Sequence, residues 1–107
     1  MKPTKPNRTG KATAADTVFT NDKTAKWIID YFNPTGSIID PSAGNNAFFD
    51  KFPNTEKYRC EIKEGTDFFH WDRTVDWIIT NPPYSIYDQF LEHAFKIADN
   101  VVFFVPI

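Results

Sequence analysis

The segment over residues 76–84, DWIITNPPY, constrains this chain more than any other. Trp77, Ile78 and Ile79 carry bulk and β-branching with no polar alternation, the pattern of a strand covered on both faces. Pro82 and Pro83 forbid that strand to continue, so Asn81 and Tyr84 are held at its carboxyl end. Open α/β sheets place their chemistry at that end.

Two consecutive prolines fix φ twice and push the residue before each out of the α region. The Asn81 amide and the Pro82 carbonyl thereby form a stiff acceptor pair beside the Tyr84 ring. A nucleobase with an exocyclic amine suits that set, its hydrogens going to the pair and its ring stacking on Tyr84. The plainer reading is a Pro-Pro turn in which Asn81 caps a strand and Tyr84 packs. The tetrapeptide alone leaves both open.

A chain of 107 residues with a formal charge of -2 fits one small domain. Aromatic residues make up 17%, with 11 Phe, which excludes a disordered chain. No apolar run reaches membrane-span length and no apolar signal segment follows the basic start, so a cytoplasmic protein with no membrane partner is expected. Cys60 alone forms no internal disulfide, and one Cys with His70 and His93 gives no zinc pattern, so no metal is expected.

Residues 1–15 carry Lys2, Lys5, Arg8 and Lys11 and no acid. The segment 1–16 reads as a flexible basic arm, a solvated terminus before it is a contact for DNA phosphates. A helix is predicted over Asp22–Phe32, capped by Thr20 or Asn21, with Ala25, Ile28, Ile29 and Phe32 on its buried face and breakers over 33–36. Residues 37–40 read as the first core strand, and 47–52 as a short helix stopped by Pro53. Residues 57–62 alternate, with Tyr58, Cys60 and Ile62 on one face, as a second strand. After the tip, Ser85 to Asp88 has the form of a capping box, and Tyr87, Leu91, Ala94, Phe95 and Ala98 line one helical face. Asp99 and Asn100 close that helix, and 101–105 is a buried strand ended by Pro106. This order predicts an α/β fold, a doubly wound Rossmann-like sheet.

Two further features face the same sheet end. The turn beginning at Asp40 is rich in small residues, which lets backbone N–H groups approach a ligand while the carboxylate takes up donors. Glu61, about twenty residues beyond, is placed to accept the two hydroxyls of a ribose. A nicotinamide site would use the same acid, but the glycine fingerprint for it is absent and the Asn81 tip would be unexplained. The plainer reading makes Glu61 a solvated edge charge.

Asn81-Pro82-Pro83-Tyr84 resembles the catalytic tetrapeptide of the amino-methylating DNA methyltransferases, which modify adenine N6 or cytosine N4 with S-adenosylmethionine. Asp40-Pro41-Ser42-Ala43-Gly44-Asn45-Asn46-Ala47-Phe48 resembles the same family's cofactor loop, and the two motifs stand in the family's order. The resemblance implies catalytic roles for Asn81, Pro82, Pro83 and Tyr84. It implies cofactor contacts from Phe19, Thr20, Asp40, Pro41, Ser42, Ala43, Gly44, Asn46, Glu61, Ile62, Asp67, Phe68 and Asn81. Asp67 would accept from the adenine amine of the cofactor, with Phe68 beside its ring. The chain departs from the family's pattern at Asn46, where a second glycine is usual, and at Asn21, where a proline usually follows Thr20. Asparagine tolerates the left-handed region that such a turn requires.

The resemblance covers 17–107 as the front portion of a catalytic domain, a partial methyltransferase sheet incomplete at its carboxyl end. It implies a site-specific adenine-N6 DNA methyltransferase of restriction-modification type, with DNA as partner and a further region or second subunit completing it. On that view the short chain alone transfers methyl groups poorly. Glutamine side chains or RNA bases are the alternative substrates, and a truncated, inactive binding protein is the non-enzymatic alternative.

Overall fold

The computed structural model describes residues 20–53 and 56–105. Within them run α1 (Asp22–Phe32), β1 (Ile38–Asp40), β2 (Lys57–Arg59), β3 (Val75–Thr80), α2 (Tyr87–Ile97) and β4 (Ala98–Phe103), with single 3-10 turns between. The four strands form one sheet in the order β2-β1-β3-β4, and every pairing is parallel. Parallel neighbours need crossover connections, so helix and turn segments are carried onto the sheet's faces.

Adjacent isoleucines sort the two faces. Ile38 and Ile79 point into a core with Ala25, Ile28 and Ile29 of α1 and with Phe48 and Phe52. Ile39 and Ile78 point the other way, into a core with Phe68 and with Phe90, Ala94 and Ile97 of α2. All four isoleucines are fully buried, each contributing about 1.5–3 kcal/mol relative to an exposed side chain. The result is a small three-layer α/β domain of generic Rossmann-like arrangement.

Helix α1 begins where the Asn21 side chain accepts from Lys23 N at 2.8 Å and Thr24 N at 3.4 Å. It ends at Asn33, which takes a left-handed φ of 46° and donates to the Ile29 carbonyl at 2.8 Å. Its last expected core residue, Phe32, is half out in solvent against Trp77.

Four local expectations are corrected. The second strand stops at Arg59, because the Glu61 side chain accepts from Lys63 N and starts a 3-10 turn, Ile62–Glu64, that Gly65 closes at φ +89°. Ile62 therefore lies outside the strand and is exposed. The expected helix over 47–52 reduces to one 3-10 turn, Phe49–Lys51, since Pro53 leaves no room for a second. The N-cap of α2 is Ile86, which supplies no side-chain capping bond. A 3-10 turn, Tyr84–Ile86, leads into α2 and buries Ile86, which rotates the helix so that Phe90, Ala94 and Ile97 face the core while Phe95 is exposed. Ala98, Asp99 and Asn100 belong to β4, which ends at Phe103. Being an edge strand, β4 tolerates these polar residues, and Asn100 donates its amide to the Asp76 carbonyl at 3.0 Å.

Candidate functional site

The carboxyl ends of β1, β2 and β3 deliver Asp40, Glu61 and Asn81 to one end of the sheet. The loop after β1 is sewn to the chain after β2: Cys60 N donates to the Asp40 carbonyl and Ala43 N to the Cys60 carbonyl, both at 2.9 Å. Gly44 and Asn46 carry this turn at φ +56° and +69°. Asparagine thus occupies the left-handed position where glycine is usual, and its Oδ1 is buried without a hydrogen-bond partner.

Asp40 is the electrostatic centre of the loop. Its carboxyl is 1% exposed and accepts from Thr80 Oγ1 at 2.5 Å and from Ser42 N at 3.0 Å. Burial pushes its pKa up to about 7; the Thr80 and Ser42 donors and the Arg59 charge work against that rise, and Glu61 adds to it. Glu61, also buried, accepts from Gly44 N at 2.8 Å through Oε1 and from Lys63 N at 2.9 Å through Oε2. Its backbone N–H donates to Thr66 Oγ1 at 2.8 Å. Glu61 is a structural tie between the loop and the turn after β2 rather than a solvated edge charge.

A cleft of about 50 Å³ lies between these groups. Ser42, Glu61, Ile62, Asp67, Phe68 and Pro83 are among its walls. Asp67 accepts from Phe69 N at 2.9 Å and so caps the 3-10 turn Phe68–His70, which fixes its carboxylate at the rim. Phe68 is buried, its ring 4.7 Å from Phe90 and edge-on to His93 at 4.6 Å. Among the described residues, the lining holds two carboxylates and no Lys, Arg or His.

A second, smaller hollow of about 20 Å³ lies beyond Ser42, bounded by Thr20, Asp40, Gly44, Asn45 and Asn81. Asn81 Nδ2 donates to Thr20 Oγ1 at 3.2 Å across 61 positions of sequence. Pro82 and Pro83 are buried, and Tyr84 is 38% exposed and lines neither hollow. Phe19 and the arm over 1–16 lie outside the described residues. His70 is exposed on the 3-10 turn. Burial pushes the Cys60 thiol up to about 11, which leaves it protonated and poorly nucleophilic at neutral pH.

Thr80, Thr66, Phe69, Ile86 and Phe90 also build the site and were not singled out from the sequence. Thr80 had a legible signal, being the one polar residue between an apolar run and the Asn81 tip. Among the described residues, no group of three or more His, Cys, Asp or Glu is arranged to hold a metal ion, and no helix is long and apolar enough to cross a membrane. No protein-family model, curated protein or solved structure matches the chain.

Proposed function

We propose that the protein is an S-adenosylmethionine-dependent methyltransferase acting on the exocyclic N6 amine of adenine in DNA. One observation carries this reading. The Asp40 loop, Glu61 with Ile62, Asp67 with Phe68, and the Asn81 tip come from four separate stretches of sequence and meet at one end of the sheet around adjoining hollows. The Asp40 loop, Glu61 and the tip were singled out by their own residues, and Asp67 with Phe68 by the resemblance.

The cleft suits a nucleoside-bearing cofactor. Ile62 and Phe68 offer apolar walls for a ring, while Glu61 and Asp67 offer acceptors for hydroxyl and amine donors. Each bonded carboxylate oxygen retains a second lone pair for such a donor. A lining without cations disfavours nucleotide phosphates and thus a dinucleotide. The smaller hollow, with Asp40, Gly44 and Thr20, is positioned for the amino-acid end. Bound there, S-adenosylmethionine supplies an electrophilic methyl group on a sulfonium.

The chain's own residues then have simple tasks. Asn81 and the Pro82 carbonyl accept hydrogen bonds from the substrate amine, which makes the nitrogen lone pair more available. Tyr84, exposed on the turn that follows the tip, stacks on a base turned out of the duplex. Positioning supplies much of the rate, and no protein acid-base pair is required. Among the described residues β4 is an edge strand with Val101, Val102 and Phe103 only half buried, and a partner laid along it would enlarge the DNA-binding surface.

The test is tritiated-methyl transfer from S-adenosylmethionine to unmethylated DNA, with the product digested to nucleosides, using this chain and its full reading frame. N6-methyladenine that disappears in Asn81→Ala supports the reading. Calorimetric titration showing no uptake of S-adenosylhomocysteine by either protein, with no label in DNA, overturns it.

A further inference from the structure

We propose that Thr80 is a positioning residue whose hydroxyl, by holding Asp40, couples the 40–46 loop to the Asn81 tip so that the two halves of the site move as one unit. The geometry stands by itself; its consequence for catalysis rests on the methyl-transfer reading above.

Thr80 is the last residue of β3, is wholly buried, and is peptide-bonded to Asn81. A position so placed in a central strand takes Val or Ile at no polar cost, whereas a buried hydroxyl requires a partner. Here the partner is Asp40 Oδ1 at 2.5 Å, a separation typical of a hydroxyl donating to a carboxylate. The same oxygen accepts from Ser42 N at 3.0 Å, so one atom joins the strand end that carries the tip to the first turn of the loop. Both ends of the link are anchored further. The Thr80 carbonyl accepts from Phe104 N at 2.9 Å, and the Asp40 carbonyl accepts from Cys60 N at 2.9 Å.

Apolar contact between β1 and β3 would hold the strands together without fixing the angle between loop and tip. A directional bond between two buried groups fixes it. Arg59, Cys60 and Glu61 are the ionisable neighbours that act on Asp40, and the strand carrying Thr80 contributes the hydroxyl alone to that set. Burial pushes the Asp40 carboxyl up to about 7, which makes its titration a direct reporter of whether the hydroxyl is in place.

The experiment compares wild type, Thr80→Val, Thr80→Ser and Asp40→Ala without ligand. Amide hydrogen exchange is read at Ser42 N–H on the loop side and Phe104 N–H on the tip side, and the Asp40 carboxyl carbon is titrated by NMR. Thr80→Val is expected to speed exchange at both amides together by about tenfold and to move the Asp40 midpoint upward, with Thr80→Ser restoring both. Acceleration at only one amide, or an unmoved midpoint, overturns the coupling. Should Thr80→Val fail to fold, Asp40→Ala, which takes away the shared acceptor, must speed exchange at Phe104 N–H on the tip side, and Thr80→Ser must keep wild-type protection; either failing overturns it. In the methyl-transfer assay, Thr80→Val should lower kcat about tenfold while S-adenosylhomocysteine affinity changes far less. A wild type that neither binds cofactor nor transfers methyl groups refutes the methyl-transfer reading, yet leaves the exchange result to stand or fall independently.

Discussion

Two aspartates tie β1 to β3 at opposite ends of the sheet, and they are built in opposite ways. At the amino end, exposed Asp76 accepts from Ser37 N at 2.9 Å and Ser37 Oγ at 3.2 Å, while its own N–H reaches the Ser37 carbonyl and hydroxyl, both at 3.0 Å. At the carboxyl end, Asp40 is buried between Thr80 and Ser42, and desolvation drives its carboxyl toward neutrality. The first clamp leaves its charge in water and sets register at little cost. The second opposes folding whenever it is ionised, so register alone does not account for it. Of the buried polar groups at this end of the sheet, Thr20, Asp40 and Glu61 line the two hollows, and Thr80 bonds to Asp40. Their placement is evidence about use rather than stability.

The largest expected difference follows from truncating each carboxylate. Asp40→Ala strands the Thr80 hydroxyl and the Ser42 N–H in a dry interior and leaves a void, a loss of about 2–4 kcal/mol. Asp76→Ala exposes its partners to water and should cost about 1 kcal/mol. Urea denaturation at pH 5, where the folded Asp40 is largely protonated, gives both values. Equal losses would erase the distinction between the two ends.

The same comparison has a pH signature. Asp40 titrates near 7 in the folded chain against 3.8 as its ordinary value, so the folded state holds the extra proton between those limits. Stability is therefore greatest below the lower value and falls as pH rises toward the upper one, at up to about 1.4 kcal/mol per pH unit. Asp40→Asn should flatten that decline, and Asp76→Asn should leave it in place. A decline that survives in Asp40→Asn belongs to another group.

Glu61 sharpens the functional half of the contrast. Glu61→Ala removes the acceptor for Gly44 N and Lys63 N as well as one wall of the cleft. Calorimetry should show S-adenosylhomocysteine binding weakened about tenfold, with Asp76→Ala unchanged. Equal affinity in Glu61→Ala would take that residue out of the cofactor site.

What the sequence made legible divides along the same line. Strand ends marked by Pro82 or by the Asp40 turn, and helix α1 between Asn21 and Asn33, were readable because capping and breaking residues act locally. The face of α2 was not, since its rotation is set by the 3-10 turn at Tyr84–Ile86, and Leu91 and Phe95 fit a helical stripe as well as Phe90 and Ile97 do. Ile62 fitted the alternation of a strand, but the Glu61 side chain captured Lys63 N and turned the chain. Around the cleft, Ser42, Glu61, Asp67 and Phe68 belong to stretches visible as motifs, whereas Ile86 and Phe90 reach it only through the turn into α2. The bonds joining the motifs, Thr80 to Asp40 and Asn81 to Thr20, span 40 and 61 positions, and no local pattern announces a contact at such separation.

The smallest effect tests the amino-end clamp itself. Gly36 precedes Ser37 with φ +85°, and a Cβ built there would lie 2.1 Å from Asp76 Oδ2 and 2.8 Å from its Cγ. Gly36→Ala therefore incurs two separate costs. The left-handed backbone costs about 1 kcal/mol for a residue with a Cβ, and the clash forces the Asp76 carboxylate off Ser37, for about 1 kcal/mol more. Only the second depends on the carboxylate. In an Asp76→Ala background the carboxylate clash and the serine bonds are gone and only the Cβ of residue 76 remains close, at 3.3 Å, so Gly36→Ala should cost less than in wild type, by about 1 kcal/mol. A double-mutant cycle by urea denaturation measures that difference. Identical costs in the two backgrounds would mean that the Asp76 carboxylate is not seated against Gly36, and the exposed half of the comparison would then lack its clamp.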